Sequence, residues 1–267
     1  MTLSAPGKDT CNQYSVPPVD RAITLLRYIG NGNDCHNLSK TSATLGINRT
    51  TLIRLIHTLL EHRMIEETGI GAGYRLGVGL IGLSAQALQS RDIVRMSQPL
   101  LVKLAAETGM SAHLGVLDGT EIIYLCREAP STHLVSNMHA GSRLPAHASS
   151  IGRVILAELS SEQVLTIFHD VDLTPATEKT PVSLDDVLAQ CKNDKEQGLA
   201  WSVGNFERGI GSCAAPIFDY SGAVVGGLNI SGPQDRFADP DTDAADMLRK
   251  AVLTAAKGVS LALGYRG

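Results

Sequence analysis

Leu52, Leu55, Ile56, Leu59 and Leu60 recur at three- and four-residue intervals between Asn48 and Glu61, the spacing that buries one stripe of a helix. Arg49, Thr50, Arg54 and His57 fall on the other faces, free to meet a partner. Asn48 suits the N-cap, because its side-chain oxygen accepts from the free amides of a first turn. Upstream, Ser39 to Leu45 predicts a short helix and Gly46-Ile47 a tight turn. Helix, glycine turn and helix at this spacing form a helix-turn-helix. Val19 to Ile29 predicts an earlier amphipathic helix, with Ile23, Leu26 and Ile29 inward and Asp20 as its cap. Thr41 and Ser42 interrupt the apolar stripe of the short helix, a soft spot in a small core. Downstream, Met64–Glu67 and Tyr74–Leu76 flank the glycine-rich Thr68–Gly73, the pattern of a hairpin. A hairpin directly after the second helix makes the unit a winged helix. Taken alone, the Asn48–Glu61 periodicity fits a solvated amphipathic helix equally well; its neighbours favour DNA binding.

Beyond the hairpin, Leu80, Leu83, Ala87 and Leu88 keep helical spacing through Gly77–Ser90, a linker helix with a glycine-loosened entry. Asp92 to Thr108 predicts a longer helix containing Pro99, which removes one internal hydrogen bond unless it opens a new turn. From Ser111 the period drops to two. Ser111–Leu117, the turn Asp118-Gly119 and Glu121–Arg127 read as a hairpin, with a further strand at His133–Met138. Ser150–Leu159, Glu162–His169 and Leu184–Gln197 read as helices, the last stopped by Gly198. Gly211–Phe218 and Ala223–Ser231 form a second hairpin, and Asp241–Leu263 a closing amphipathic helix. Hairpins with flanking helices describe an antiparallel α+β sensor-like domain. The organisation expected is a disordered tail over 1–17, a winged helix-turn-helix over 18–77, a linker helix over 78–91 and a sensor domain over 92–267.

The 267 residues suffice for two cores, and no apolar run approaches the roughly 20 residues of a membrane span. The N-terminus lacks a signal-peptide apolar core. Five scattered cysteines, an odd number without a short pairing motif, fit a reducing cytoplasm. No Cys/His cluster has zinc spacing, so neither metal nor cofactor is expected. The net charge of −4 weighs against DNA binding until it is divided. Residues 18–89 hold seven Lys/Arg against five Asp/Glu, whereas 90–267 hold fifteen against twenty-one. The positive surplus therefore sits on the helix-turn-helix, as a footprint on phosphate requires. It is small enough that a second copy is expected for grip at physiological salt. Ser39, Lys40, Arg49, Thr50, Thr51 and Arg54 are the candidate contacts on the two helices, with Arg75 reaching backbone phosphate from the wing.

Three segments of the second half carry candidate chemistry. His147-Ala148-Ser149-Ser150-Ile151-Gly152 opens a helix with small residues, where free amides and the helix dipole favour an anion. Gly211–Pro216 is a strand of small side chains that includes Cys213. Asn229 and Ser231 stand two apart on another strand and so face one side. Small side chains leave room and a few polar groups fix orientation, the needs of a ligand pocket. Against this stand blander readings: Cys213 as a small buried hydrophobe, and Asn229 and Ser231 on a solvated face. Cys213 or Ser150 as nucleophile with His147 as base is the enzymatic alternative. No nucleophile elbow, partner carboxylate or phosphate-cradling loop supports it, and the chain is not expected to be an enzyme. A hydrolase using Cys213, or a small-molecule or redox-sensing module without DNA function, remains the competing class.

Several stretches in order resemble the IclR family of bacterial transcription regulators over nearly the whole length. They are Asp20–Leu26, Arg49–Leu55, Tyr74–Gly77, Leu104–Gly109, Gly141–Ala148, Cys213–Ile217 and Ser231–Pro233. The resemblance implies a winged helix, a linker helix and a GAF-like effector domain, assembled as homodimers or homotetramers on operator DNA. It implies a pocket at the helix start matched by Ser150 and Ile151, beside the candidate Ser149, and at strand positions matched by Cys213, Asn229 and Ser231. Ligands of such pockets are small organic acids or aromatic compounds of catabolism. This chain departs from the family pattern at Ile151 and Val203, where an apolar side chain replaces a small and an acidic one, and at Thr41-Ser42. The first two imply a more apolar pocket, suited to an aromatic or larger carboxylic acid.

Overall fold

Asn48 caps the helix that follows it as its sequence requires, its side chain accepting from the Thr50 amide at 2.9 Å. The computed structural model describes residues 14–69, 71–130 and 138–267, and the chain divides into two compact units between Leu88 and Gln89. The first unit contains α1 (Pro17–Gly30), α2 (Leu38–Leu45), α3 (Arg49–Glu61), the antiparallel hairpin β1 (Ile65–Gly69) and β2 (Gly73–Leu76), and α4 (Val78–Gln89). Asn37 caps α2 by accepting from the Lys40 amide, and Gly46 ends it in the left-handed region at φ 63°. That conformation costs glycine nothing, so the chain can turn sharply into α3. Leu25, Ile29, Ile47, Leu52, Ile56, Leu59 and Ile65 close one small core.

Four expectations are corrected in this unit. Helix α1 begins at Pro17 rather than Val19, because a proline in the first turn lacks only an amide that would be unbonded there. Val16, not Asp20, occupies its N-cap, and without a side-chain cap. Its buried stripe runs through Leu25 and Ile29, leaving Ile23 exposed. Thr41 and Ser42 do not leave a hole: Thr41 is buried, and the Ser42 hydroxyl donates to the Ile47 carbonyl at 2.6 Å, closing the turn. The tail 1–17 lies outside the described residues up to position 13.

The second unit is a six-stranded antiparallel sheet in the order β5-β4-β3-β8-β7-β6. Its strands are β3 (Ser111–Asp118), β4 (Glu121–Glu128), β5 (Arg143–Pro145), β6 (Ala200–Val203), β7 (Ile210–Phe218) and β8 (Val224–Pro233). Helices α5 (Asp92–Thr108) and α9 (Asp243–Ala262) cover one face, while α6 (Ser150–Ala157) crosses the other. Outside α6 lie α7 (Ser161–Ile167) and α8 (Leu184–Gln197). Ile122, Leu144, Ile151, Val154, Phe168 and Val187 belong to the core on the α6 side. The strands β5 and β6 were not expected from sequence. The strand expected at His133–Met138 lies outside the described residues except for Met138, which is in no strand.

Candidate functional site

On the first unit, Ser39 and Lys40 are exposed on α2, and Arg49, Thr50 and Arg54 are exposed on α3, while Thr51 is half-buried. Because Leu52, Ile56 and Leu59 hold α3 to the core, its opposite face carries the two arginines outward. Neither guanidinium has an ion pair among the described residues. Arg75 differs. It stands opposite Glu66 across the hairpin and donates to the carboxylate from Nε and Nη2 at 3.3 and 3.1 Å. Glu66 also accepts from the Val78 amide at 3.0 Å, and that bond, followed by Arg75, holds its carboxyl below the ordinary value. The wing arginine is thus already paired.

On the second unit, a cavity of about 50 Å³ lies between the start of α6 and the near face of the sheet. Ser149, Ser150, Asn229 and Ser231 all line it. Ser149 is the N-cap of α6, its hydroxyl accepting from the Gly152 amide at 3.0 Å. The amides of Ser150 and Ile151 have no acceptor among the described residues, as expected for a first turn. Gly152 presses this turn onto the chain before it: a Cβ there would lie 2.2 Å from the Ala146 carbonyl oxygen. Only glycine lets the free amides sit where they do.

Ile151 and Cys213 do not line the cavity. The Ile151 side chain is fully buried beneath the sheet, where Gly115 and Gly227 leave room for it. Ile151 therefore serves the core of the domain rather than the cavity wall. Cys213 pairs with Ile230 in the β7–β8 register, whereas Ser212 pairs with Ser231 and Ala214 with Asn229. Directly opposed residues face the same side, so Ser212 belongs to the cavity and Cys213 to the α9 face. Burial pushes the Cys213 thiol up to about 12. His147, the candidate base, is buried with its ring edge-on to Phe168 at 5.9 Å, and burial lowers its pKa.

Sequence reasoning missed Ser212, Ser202, Tyr124, Met138, Phe206 and Glu207, which complete the lining together with Leu144 and Ile210. Val203 is not among them; its neighbour Ser202 is, so the wall is more polar than the Ile151 and Val203 departures implied. Strand parity would have chosen Ser212 over Cys213, had the register been known. The hydroxyls of Ser212 and Ser150 are 3.0 Å apart, and Asn229 Nδ2 donates to Ser150 Oγ at 3.1 Å. Behind Asn229, its Oδ1 lies 2.9 Å from Nδ1 of His113. Among the described residues no group of His, Cys, Asp and Glu is placed to hold a metal ion, and no helix is long and apolar enough to cross a membrane.

Comparison with known proteins agrees with both halves of this geometry. Residues 18–69 match the IclR helix-turn-helix domain, and residues 85–261 match the bacterial transcriptional regulator IclR C-terminal family. The HTH-type transcriptional regulator XynR of Escherichia coli strain K12 is 28% identical over 251 residues, which cover 94% of this chain and 98% of XynR. The transcriptional repressor IclR of the same strain is 30% identical over 254 residues, covering 93% and 90%. The crystal structure of an IclR homolog from Microbacterium hydrocarbonoxydans complexed with 4-hydroxybenzoate shares the fold. It superposes with a TM-score of 0.76 at 21% identity over 92% of this chain and 98% of that one. With a helix-turn-helix that exposes two arginines and a sheet domain that carries a small cavity at the start of α6, the chain belongs to the IclR family of DNA-binding, ligand-responsive transcriptional regulators.

Proposed function

We propose that this regulator senses a small organic acid with an aromatic or similarly bulky body and controls a catabolic operon. The observation that carries this reading is the convergence on one cavity of the first residue of α6, Ser150, whose amide has no acceptor among the described residues, with the side chains of Ser212, Asn229 and Ser231. A helix start with free amides attracts a carboxylate, and the hydroxyls supply further donors. Tyr124, Leu144, Met138, Phe206 and Ile210 supply the apolar wall that an aromatic body needs. The 4-hydroxybenzoate in the Microbacterium homolog is such a molecule. The cavity, at about 50 Å³, is well below the roughly 300 Å³ of a small-molecule pocket, so side chains of its wall must move aside to admit the acid. The acid acts through differential affinity for two arrangements of the protein, since equal affinity would shift nothing.

In this reading Ser39, Lys40, Arg49, Thr50, Thr51 and Arg54 contact operator DNA, and Arg75 reaches phosphate by exchanging Glu66 for the backbone. The sheet with helices on both faces is a GAF-like sensor domain. The protein works in the cytoplasm as a homodimer or homotetramer. Support for the oligomer comes from α4, which buries no residue and leaves Val78, Ile81 and Leu83 more than half exposed, an apolar surface that a second copy covers. No catalysis is included. A thiol raised to about 12 and turned towards α9 is a poor nucleophile, which disfavours the hydrolase reading.

Calorimetric titration of the purified protein with aromatic and aliphatic acids, beside gel shifts on its own upstream DNA, tests the proposal. Ser150→Trp fills the cavity, and is expected to abolish acid binding while preserving the fold and the gel shift. A normal titration of that variant removes the pocket assignment. Failure of the wild type to prefer its own upstream DNA at low salt removes the operator assignment.

A further inference from the structure

Behind the cavity wall, four side chains from four different elements form one hydrogen-bonded chain. His113 on β3 lies with Nδ1 2.9 Å from Asn229 Oδ1 on β8. Asn229 Nδ2 donates to Ser150 Oγ on α6 at 3.1 Å, and Ser212 Oγ on β7 donates to the same oxygen at 3.0 Å. His113 and Asn229 are directly opposed in the β3–β8 register and both are buried. The chain is therefore fixed by the sheet, not by mobile surface groups.

Its direction follows from donor and acceptor chemistry. An amide oxygen only accepts, so the ring nitrogen facing Asn229 Oδ1 must carry a hydrogen. A neutral imidazole then has its lone pair on Nε2, and that atom is buried without a partner among the described residues. The ring stays neutral because burial lowers its pKa to about 4, with the nearby Arg127 charge acting in the same direction against the Asn229 bond. Arg127 stands opposite His113 on β4, with Nε and Nη2 also buried and without a partner among the described residues. At the other end, Ser150 Oγ receives two hydrogens, which occupy its two lone pairs. Its own hydrogen must then point elsewhere, and Ser150 lines the cavity.

We propose that His113 is a positioning residue for effector recognition: by donating from Nδ1 it fixes the Asn229 amide, which makes Ser150 a hydrogen-bond donor into the cavity, so the bound molecule must present an acceptor oxygen there. Were the amide turned round, its oxygen would take the Ser150 hydrogen and the cavity would meet lone pairs instead. The same walls would then select a donor such as an ammonium group. The inference rests on the cavity being the effector site, as proposed above. It adds the residue that sets the polarity of recognition, a residue that touches no ligand.

Two measurements on the full chain test it. Long-range proton–nitrogen NMR of protein labelled in histidine, with the His113 signals assigned by their loss in His113→Asn, is expected to show a neutral Nδ1–H ring between pH 6 and 8. An Nε2–H ring overturns the relay, even if acids bind. The second measurement is thermal shift with 4-hydroxybenzoate and 4-hydroxybenzylamine as matched probes. The benzoate alone is expected to stabilise the wild type and His113→Asn, whose amide nitrogen replaces Nδ1. In His113→Leu its affinity is expected to fall at least tenfold. Full benzoate affinity in His113→Leu, or stabilisation of the wild type by the amine, overturns the proposal. If neither probe moves a wild type whose ring is Nδ1–H, the aromatic-acid reading of the cavity fails and the relay stands.

Discussion

Arg153 and Asp194 join through two bonds, Nη2 to Oδ1 at 2.6 Å and Nε to Oδ2 at 2.8 Å, with both side chains almost wholly buried. The pair ties α6, which opens at the cavity, to α8 outside it. Gln190 also donates to Oδ1 at 3.1 Å, and Arg153 Nη1 reaches the Trp201 carbonyl at 3.4 Å. Every oxygen of the carboxylate is therefore engaged. Removing one partner strands a buried charge, which costs about 3–5 kcal/mol. Asp194→Ala is expected to lose that much in urea unfolding, while the double variant Arg153→Met/Asp194→Leu recovers most of it. Equal stability of Asp194→Ala and wild type would show that water reaches the guanidinium.

The close approach of Gly152 to Ala146 predicts a functional effect separable from a stability effect. A methyl group 2.2 Å from the Ala146 carbonyl oxygen forces the first turn of α6 outward, and the backbone there cannot give cheaply. Gly152→Ala is expected to destabilise the C-terminal unit by about 1–3 kcal/mol, as overpacking does. Since the displaced turn carries the Ser150 and Ile151 amides, acid binding should weaken tenfold or more at temperatures where the variant is fully folded. Unchanged titration curves would mean that the amides take no part.

Arg49 and Arg54 on α3, exposed and without an ion pair among the described residues, differ from Arg75, which is held by Glu66. Each phosphate contact contributes about 1 to the slope of log affinity against log salt. Arg49→Ala and Arg54→Ala should each weaken the gel shift, lowering the slope by about 1 per copy where the lost contact is to phosphate. Where it is to a base edge, discrimination between operator and random DNA falls instead. Glu66→Gln keeps an acceptor for the Val78 amide but releases Arg75, and so should tighten binding to any DNA at low salt. Weaker binding in that variant would show that Glu66 positions the wing rather than restraining it.

Elements bounded by strong punctuation were legible in the sequence. Helix α8 has the bounds its sequence implies; Gly198, in the left-handed region, marks its end, and the structure adds the Ser183 cap at its start. The two long hairpins are legible because each strand runs to eight or more residues, with turn residues such as Asp118-Gly119 between them. By contrast, β5 has three residues and β6 four, too few to show a period. For α1, apolar residues occupy two neighbouring phases, and only packing against β2 decides that Leu25 and Ile29 turn inward while Ile23 does not. The site followed the same rule. Asn229 and Ser231 needed only the two-residue period of one strand, whereas choosing Ser212 over Cys213 needed the register between two. Ile151 was misread as lining because the glycines that receive its side chain, Gly115 and Gly227, are far away along the chain.

His113 also predicts the pH response of folding. Burial, opposed by the Asn229 bond and aided by Arg127, lowers its folded pKa to about 4 from an ordinary 6.5. Above pH 6.5 both folded and unfolded chains leave the ring neutral, and it contributes no slope. As the pH falls from there towards 4, the unfolded chain takes up a proton that the folded one refuses, so stability drops; below about 4 both are protonated and the loss levels off. A shift of this size corresponds to about 3 kcal/mol at the plateau. Urea midpoints between pH 7.5 and 4.5 should therefore decline more steeply in the wild type than in His113→Asn, which has nothing to protonate there. Parallel declines in the two proteins would mean that His113 takes up its proton in the folded chain, and that acid sensitivity arises at another group.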